Sequence, residues 1–154
     1  MKKRRNPIVG LSIIELLIVL AVISLLVSLV TSSNKRKLNQ VALMQAQLDL
    51  LALAAKMEEY KLANATYAGA AGSESSRKAS GVPWIFSSYS PSTNTEEHKR
   101  YTLYIESSDK TSYQLLAVPA DQILQKLSYN SKGEKYLDKD TNGVFSSDES
   151  CWKC

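Results

Sequence analysis

Twelve residues near the C-terminus have the types and spacing to hold a metal ion: Asp138-Lys139-Asp140-Thr141-Asn142-Gly143-Val144-Phe145-Ser146-Ser147-Asp148-Glu149. Oxygen-bearing side chains fall at loop positions 1, 3, 5 and 9, glycine at 6, an apolar residue at 8 and Glu149 at 12. This is the spacing of an EF-hand calcium loop. Ca²⁺ takes about six to eight oxygens. Asp138, Asp140, Asn142, the Val144 carbonyl, Ser146 and a bidentate Glu149 would supply about seven. Strand-like residues precede the loop and five residues follow it, so the paired helices of an EF-hand are not expected. The competing reading is a solvated, metal-free acidic turn built on Asn142-Gly143 in a hairpin. No cofactor is required by the sequence, and calcium is the one it suggests.

The remaining reactive residues are few. Cys151 and Cys154 are the two cysteines. Their C-x-x-C spacing matches a redox motif, but no helix follows to lower a thiol pKa. A small terminal disulfide beside Trp152 is the expected state in an oxidising compartment, with an intermolecular bridge as the alternative. Two thiols cannot complete a zinc site, and His98 is the single histidine, far along the chain in a polar stretch. No nucleophile–base pair is evident, so no enzyme activity is expected.

The elements that must position these groups begin at the other end. Lys2, Lys3, Arg4 and Arg5 lead through Pro7 and Gly10 into LSIIELLIVLAVISLLVSLV, Leu11 to Val30. Of these twenty residues sixteen are apolar; Ser12, Glu15, Ser24 and Ser28 are the exceptions. As a helix rising about 1.5 Å per residue, the run reaches roughly 30 Å, the hydrocarbon thickness of a bilayer. A carboxylate within it costs about 2.5 kcal/mol or more and demands a partner. A secretory signal peptide has a shorter apolar core, and a plain signal anchor leaves Gly10 and Glu15 unexplained.

The stretch resembles the prepilin signature of the type IV filament family: a basic leader ending in Gly10, a hydrophobic helix from Leu11, and Glu15 at its fifth position. Leu11 stands where Phe is usual. The resemblance implies cleavage after Gly10 by prepilin peptidase, N-methylation of Leu11, and pairing of Glu15 with a neighbouring subunit's α-amino group during assembly. The order Tyr101-x-Leu103, Tyr113-x-Leu115, Ala117-x-Pro119, Leu127, Gly133 and Cys151-Trp152 resembles the C-terminal half of PilE-type minor pilins. The departure is the absence of a cysteine upstream near the third strand.

Past the apolar run no Gly or Pro occurs until after Asn64, and good helix formers dominate. Two apolar rows recur at helical spacing. Leu38, Val41, Met44, Leu48, Leu51, Ala55 and Leu62 are expected to pack on a sheet; Leu43, Leu50, Ala54, Met57 and Tyr60 are expected to meet other helices in an assembly, with a thick core as the alternative. Residues 65–100 are rich in Gly, Ser, Thr and Pro, with Trp84, Ile85, Phe86 and Tyr89 as anchors. Runs at 101–106 and 113–118 predict a hairpin, and runs at 123–129 and 134–137 a second.

The expected fold class is therefore α+β with the type IV pilin fold: one long N-terminal helix, half membrane-spanning and half amphipathic, packed on a small antiparallel β-sheet. The expected divisions are a cleaved leader at 1–10, a transmembrane or filament-core helix at 11–32, the amphipathic half at 33–64, an αβ-loop at 65–100, and the sheet with a C-terminal loop at 101–154. The chain carries 19 basic and 15 acidic residues. Losing the leader's four cations leaves 15 of each, so no global field draws nucleic acid. DNA remains a conceivable partner through local clusters, Lys35-Arg36-Lys37 or Arg77, Lys78, Lys99 and Arg100, but charge does not indicate it. The function expected is a minor type IV pilin that supports pilus assembly and thereby adhesion, twitching motility or DNA uptake. The alternatives are a type II secretion pseudopilin and a DNA- or surface-binding tip pilin. Partners would be other pilin subunits, prepilin peptidase and, before assembly, the inner membrane. The expected location is single-pass in the inner membrane with a cytoplasmic N-terminus, then the extracellular pilus.

Overall fold

The structure, a computed structural model, describes residues 12–152, and residues 28–33 by their backbone alone. Helix α1 runs Ile13–Asn64, entered where the Ser12 carbonyl accepts the Glu15 and Leu16 amides. It ends because Ala65 turns into the left-handed region at φ 58°, its amide returning to the Lys61 carbonyl at 2.7 Å. The chain divides into two compact units, Met1–Leu38 and Asn39–Cys154.

In the first unit, every described side chain from Ile13 to Val27 is exposed. In the second, the helix lays Ala42, Ala46, Leu50, Leu53, Met57 and Tyr60 into a core shared with the strands. That buried row follows i, i+4 and i+3 steps, one face of a 3.6-residue period. Its two N-terminal alanines are small. The row expected on the sheet instead faces out: Leu38, Val41, Met44, Leu48 and Leu62 are exposed, while Leu50, Ala54, Met57 and Tyr60 are buried. Helical spacing separates two faces without saying which one meets the sheet, and the assignment expected from sequence is reversed.

The strands form two antiparallel sheets. β1 (Ala71–Gly72) pairs with β2 (Arg77–Lys78) in a two-stranded ribbon. The larger sheet runs β3 (Tyr89–Ser90), β4 (Tyr101–Ser108), β5 (Tyr113–Pro119), β6 (Leu127–Asn130), β7 (Lys135–Leu137), each antiparallel to its neighbour. Alternation builds its inner face: Tyr101, Leu103 and Ile105 of β4 and Tyr113, Leu115 and Ala117 of β5 are buried. A bulge between Ile105 and Ser107 shifts the register so that Ser108 meets Tyr113. Residues 123–126, expected to extend β6, form a turn closed by the Leu124 amide on the Asp121 carbonyl. The 65–100 stretch docks through Trp84, whose indole donates to the Gly69 carbonyl at 2.8 Å and meets Tyr60 edge-on.

Two expectations are corrected here. Among the described residues no helix is long and apolar enough to cross a membrane. The apolar segment with described side chains, Ile13 to Val27, covers about 22 Å, whereas a span needs about 20 apolar residues, and Glu15 lies inside it. The expected pilin fold, with a membrane-spanning half-helix on a single small sheet, therefore does not hold: no span lies among the described residues and the strands make two sheets. The expected inner-membrane, single-pass location falls with the span.

Candidate metal centre

β7 delivers the chain to Asp138, whose amide donates to the Lys126 carbonyl at 3.0 Å. Two left-handed residues, Thr141 at φ 57° and Gly143 at φ 83°, fold the loop back on itself. Glycine suits the second of these because it lacks a Cβ. The loop closes in a 3-10 turn, Ser147–Glu149, entered through a capping box between Ser146 and Glu149.

Asp138 and Glu149 are 3% and 5% exposed, and Asp140 is exposed. One carboxylate oxygen of each lies within 4.8 Å of the other two. Glu149 is held by protein donors. Its Oε1 accepts the Lys139 amide at 2.6 Å, and its Oε2 accepts the Ser146 amide at 2.9 Å and the Ser146 hydroxyl at 3.1 Å. These donors, the Ser146 amide foremost, hold its carboxyl below the ordinary glutamate range against the opposing effect of burial.

Asp138 is only half satisfied. Oδ2 accepts the Gly143 amide at 2.9 Å. Oδ1 is buried with no hydrogen-bond partner among the described residues. No ion pair among the described residues involves Asp138, Asp140 or Glu149. The nearest basic side chain on the loop, Lys139, directs its Nζ to the Asp148 carbonyl at 3.5 Å.

Two of the other expected ligands, Asn142 and Ser146, are engaged within the loop. Asn142 Oδ1 accepts the Val144 amide at 2.7 Å, and its Nδ2 donates to Asp140 Oδ2 at 2.6 Å. The Ser146 hydroxyl donates to Glu149, and the Val144 side chain is exposed. What the geometry gathers is thus the three carboxylates at loop positions 1, 3 and 12.

Beyond the loop, Cys151 is disulfide-bonded, while Cys154 lies outside the described residues. The Trp152 indole donates to the Tyr136 carbonyl at 3.1 Å, and its ring lies beside Tyr129 and under Lys135. The segment after the loop is therefore fastened to β6 and β7.

The processing residues Gly10 and Leu11 also lie outside the described residues. Glu15 sits in the first turn of α1, where the helix dipole favours an acid, and makes no ion pair among the described residues. Three of the seven basic residues considered for DNA are engaged locally. Arg77 lies over Trp84 and reaches Asn64; Lys99 lies over Tyr89 and near Glu96; Arg100 donates to Asn39 at 2.8 Å.

One functional-type residue escaped the sequence reading. Asp49 is 4% exposed on the buried face of α1 and accepts the Ser90 hydroxyl at 2.6 Å, the Ser92 amide at 3.2 Å and the Gln45 amide group at 3.2 Å. Its signal was an acid between Ala46 and Leu50 on a face otherwise apolar. No family model, curated protein or solved structure matches the chain.

Proposed function

We propose that the chain is a structural and interaction subunit of a type IV pilus, resembling a minor pilin, that supports pilus assembly and so adhesion, motility or DNA uptake. One observation carries the reading. The helix from Ile13 to Leu26 exposes its large apolar side chains, from Val19 at 48% to Ile13 at 80%, with a carboxylate in its first turn. Monomeric soluble proteins rarely leave so extended an apolar surface uncovered. Helices of neighbouring subunits would cover it by knobs and grooves. A subunit's freed α-amino group at Leu11 would neutralise Glu15 of its neighbour, since a buried carboxylate needs a counter-charge.

The reading is tested at the N-terminus. Mass spectrometry of the protein recovered from its own cells should show a mature chain beginning at methylated Leu11. A terminus near Asn34 would overturn the filament reading. Glu15→Ala should lower the amount of the protein in sheared filaments, and unchanged incorporation would remove the role assigned to that charge.

A further inference from the structure

We propose that Asp138, Asp140 and Glu149 form a calcium site that ties the loop after β7 to the C-terminal turn. The site does not depend on the filament reading. Three acids in a cluster would not by themselves justify it. The independent observation is the Oδ1 of Asp138, buried and without a hydrogen-bond partner among the described residues. Leaving a buried acceptor unsatisfied costs about 1–3 kcal/mol, more when it is charged. A cation removes that cost at its source.

The three carboxylate oxygens lie within 4.8 Å of one another. Calcium accepts such an incomplete, irregular oxygen set, whereas magnesium demands near-ideal octahedral geometry. The donor set is all oxygen, which a hard cation prefers over the soft ligands that select zinc or copper.

The arrangement differs from an EF-hand in one respect. Both Glu149 oxygens already accept protein donors, and Oε2 accepts two of them. Oε1 carries fewer of these bonds than Oε2, so Glu149 would bind one-toothed through Oε1 while Oε2 keeps the Ser146 capping bonds. Asp138 brings Oδ1 and Asp140 one exposed carboxylate oxygen. Water would complete the shell of six to eight. Such a site, with three protein anions and an open side, belongs at the weak end of calcium affinities, roughly 10⁻⁴ to 10⁻³ M.

The ion would bridge position 1 of the loop, at the end of β7, to position 12, two residues before disulfide-bonded Cys151. It would thereby hold the entry and exit of the loop together, beside the Trp152 contact on Tyr136.

Calorimetric titration of the full-length chain in detergent, stripped with chelator, tests this with calcium chloride as the probe. One ion per chain should bind in the stated range. Asp140→Asn, at an exposed position, should weaken binding at least tenfold while the chain still melts cooperatively in chelator. Asp138→Asn should abolish binding. Magnesium should bind at least tenfold more weakly. No binding at about 10 mM calcium, well above the weak end for such loops, would overturn the site. Parent-like binding by the Asp140→Asn chain would place the ion elsewhere, and magnesium binding equal to calcium would overturn the choice of metal.

Discussion

Asp49 and Asp138 are both buried carboxylates at the edge of the sheet core, and they are treated differently. Asp49 spends both oxygens within the protein, on the Ser90 hydroxyl, the Ser92 amide and Gln45. Asp138 spends one, on the Gly143 amide. A buried acid that binds only protein donors is a fastener, here between α1 and the strand at β3. A buried acid with an oxygen to spare, close to two others, is placed to accept the cation proposed above. The difference lies in the neighbours, since both residues are aspartates with almost the same exposure.

Among the acids, the largest effect should come from breaking the satisfied one. Asp49→Ala strands the buried Ser90 hydroxyl and the Ser92 amide, and should cost about 2–3 kcal/mol by chemical denaturation. A loss below about 0.5 kcal/mol would show that the network fastens nothing.

A smaller effect belongs to Asp138. With calcium at ten times its dissociation constant, binding only to the folded state adds about 1.4 kcal/mol. The parent should therefore melt a few degrees higher in calcium than in chelator, and Asp138→Asn should remove that difference. A calcium shift that survives this substitution would erase the distinction between the two acids.

Asp109 sharpens the comparison as an exposed acid that is fully satisfied. The Ser112 hydroxyl first, then the amides of Thr111 and Ser112, hold its carboxyl far below the ordinary range. A depressed folded pKa means that its contribution is complete above the unfolded value of about 3.9 and is lost as pH falls below it. Asp109→Asn should accordingly flatten the decline in melting temperature between about pH 5 and pH 2. An unchanged acid limb would show that the turn does not matter to folding.

The smallest effect is expected on the far side of the helix from Asp49. Met44→Ala, at an exposed position, should change stability by no more than about 0.5 kcal/mol, whereas Leu53→Ala should cost about 2–5 kcal/mol. A large loss at Met44 in the isolated chain would contradict the face assignment.

Much of the fold was legible because its signals are local. The β4–β5 hairpin announces itself in alternating Tyr101, Leu103, Ile105 and Tyr113, Leu115, Ala117 around a polar turn. The acidic loop is legible for the same reason: its three carboxylates stand at fixed spacing and need only the chain between them to meet. β1 to β3, at two residues each, leave no periodic trace, and their pairing depends on partners up to thirteen residues away. Asp49 was illegible because its donors are about forty residues distant.

By itself the sequence determined that a long helical segment follows a basic leader, that it has two apolar faces, and that three acids stand at positions 1, 3 and 12 of a turn. Those are matters of composition and spacing, which act through bonds and neighbouring turns. Only the tertiary structure decided which helix face is buried, reversing the expected one. It also decided that the strands form two sheets, and that the Asp138 Oδ1 is enclosed without a donor among the described residues. Each of these depends on which surfaces meet across long stretches of chain, and burial is a property of that meeting, not of either surface alone.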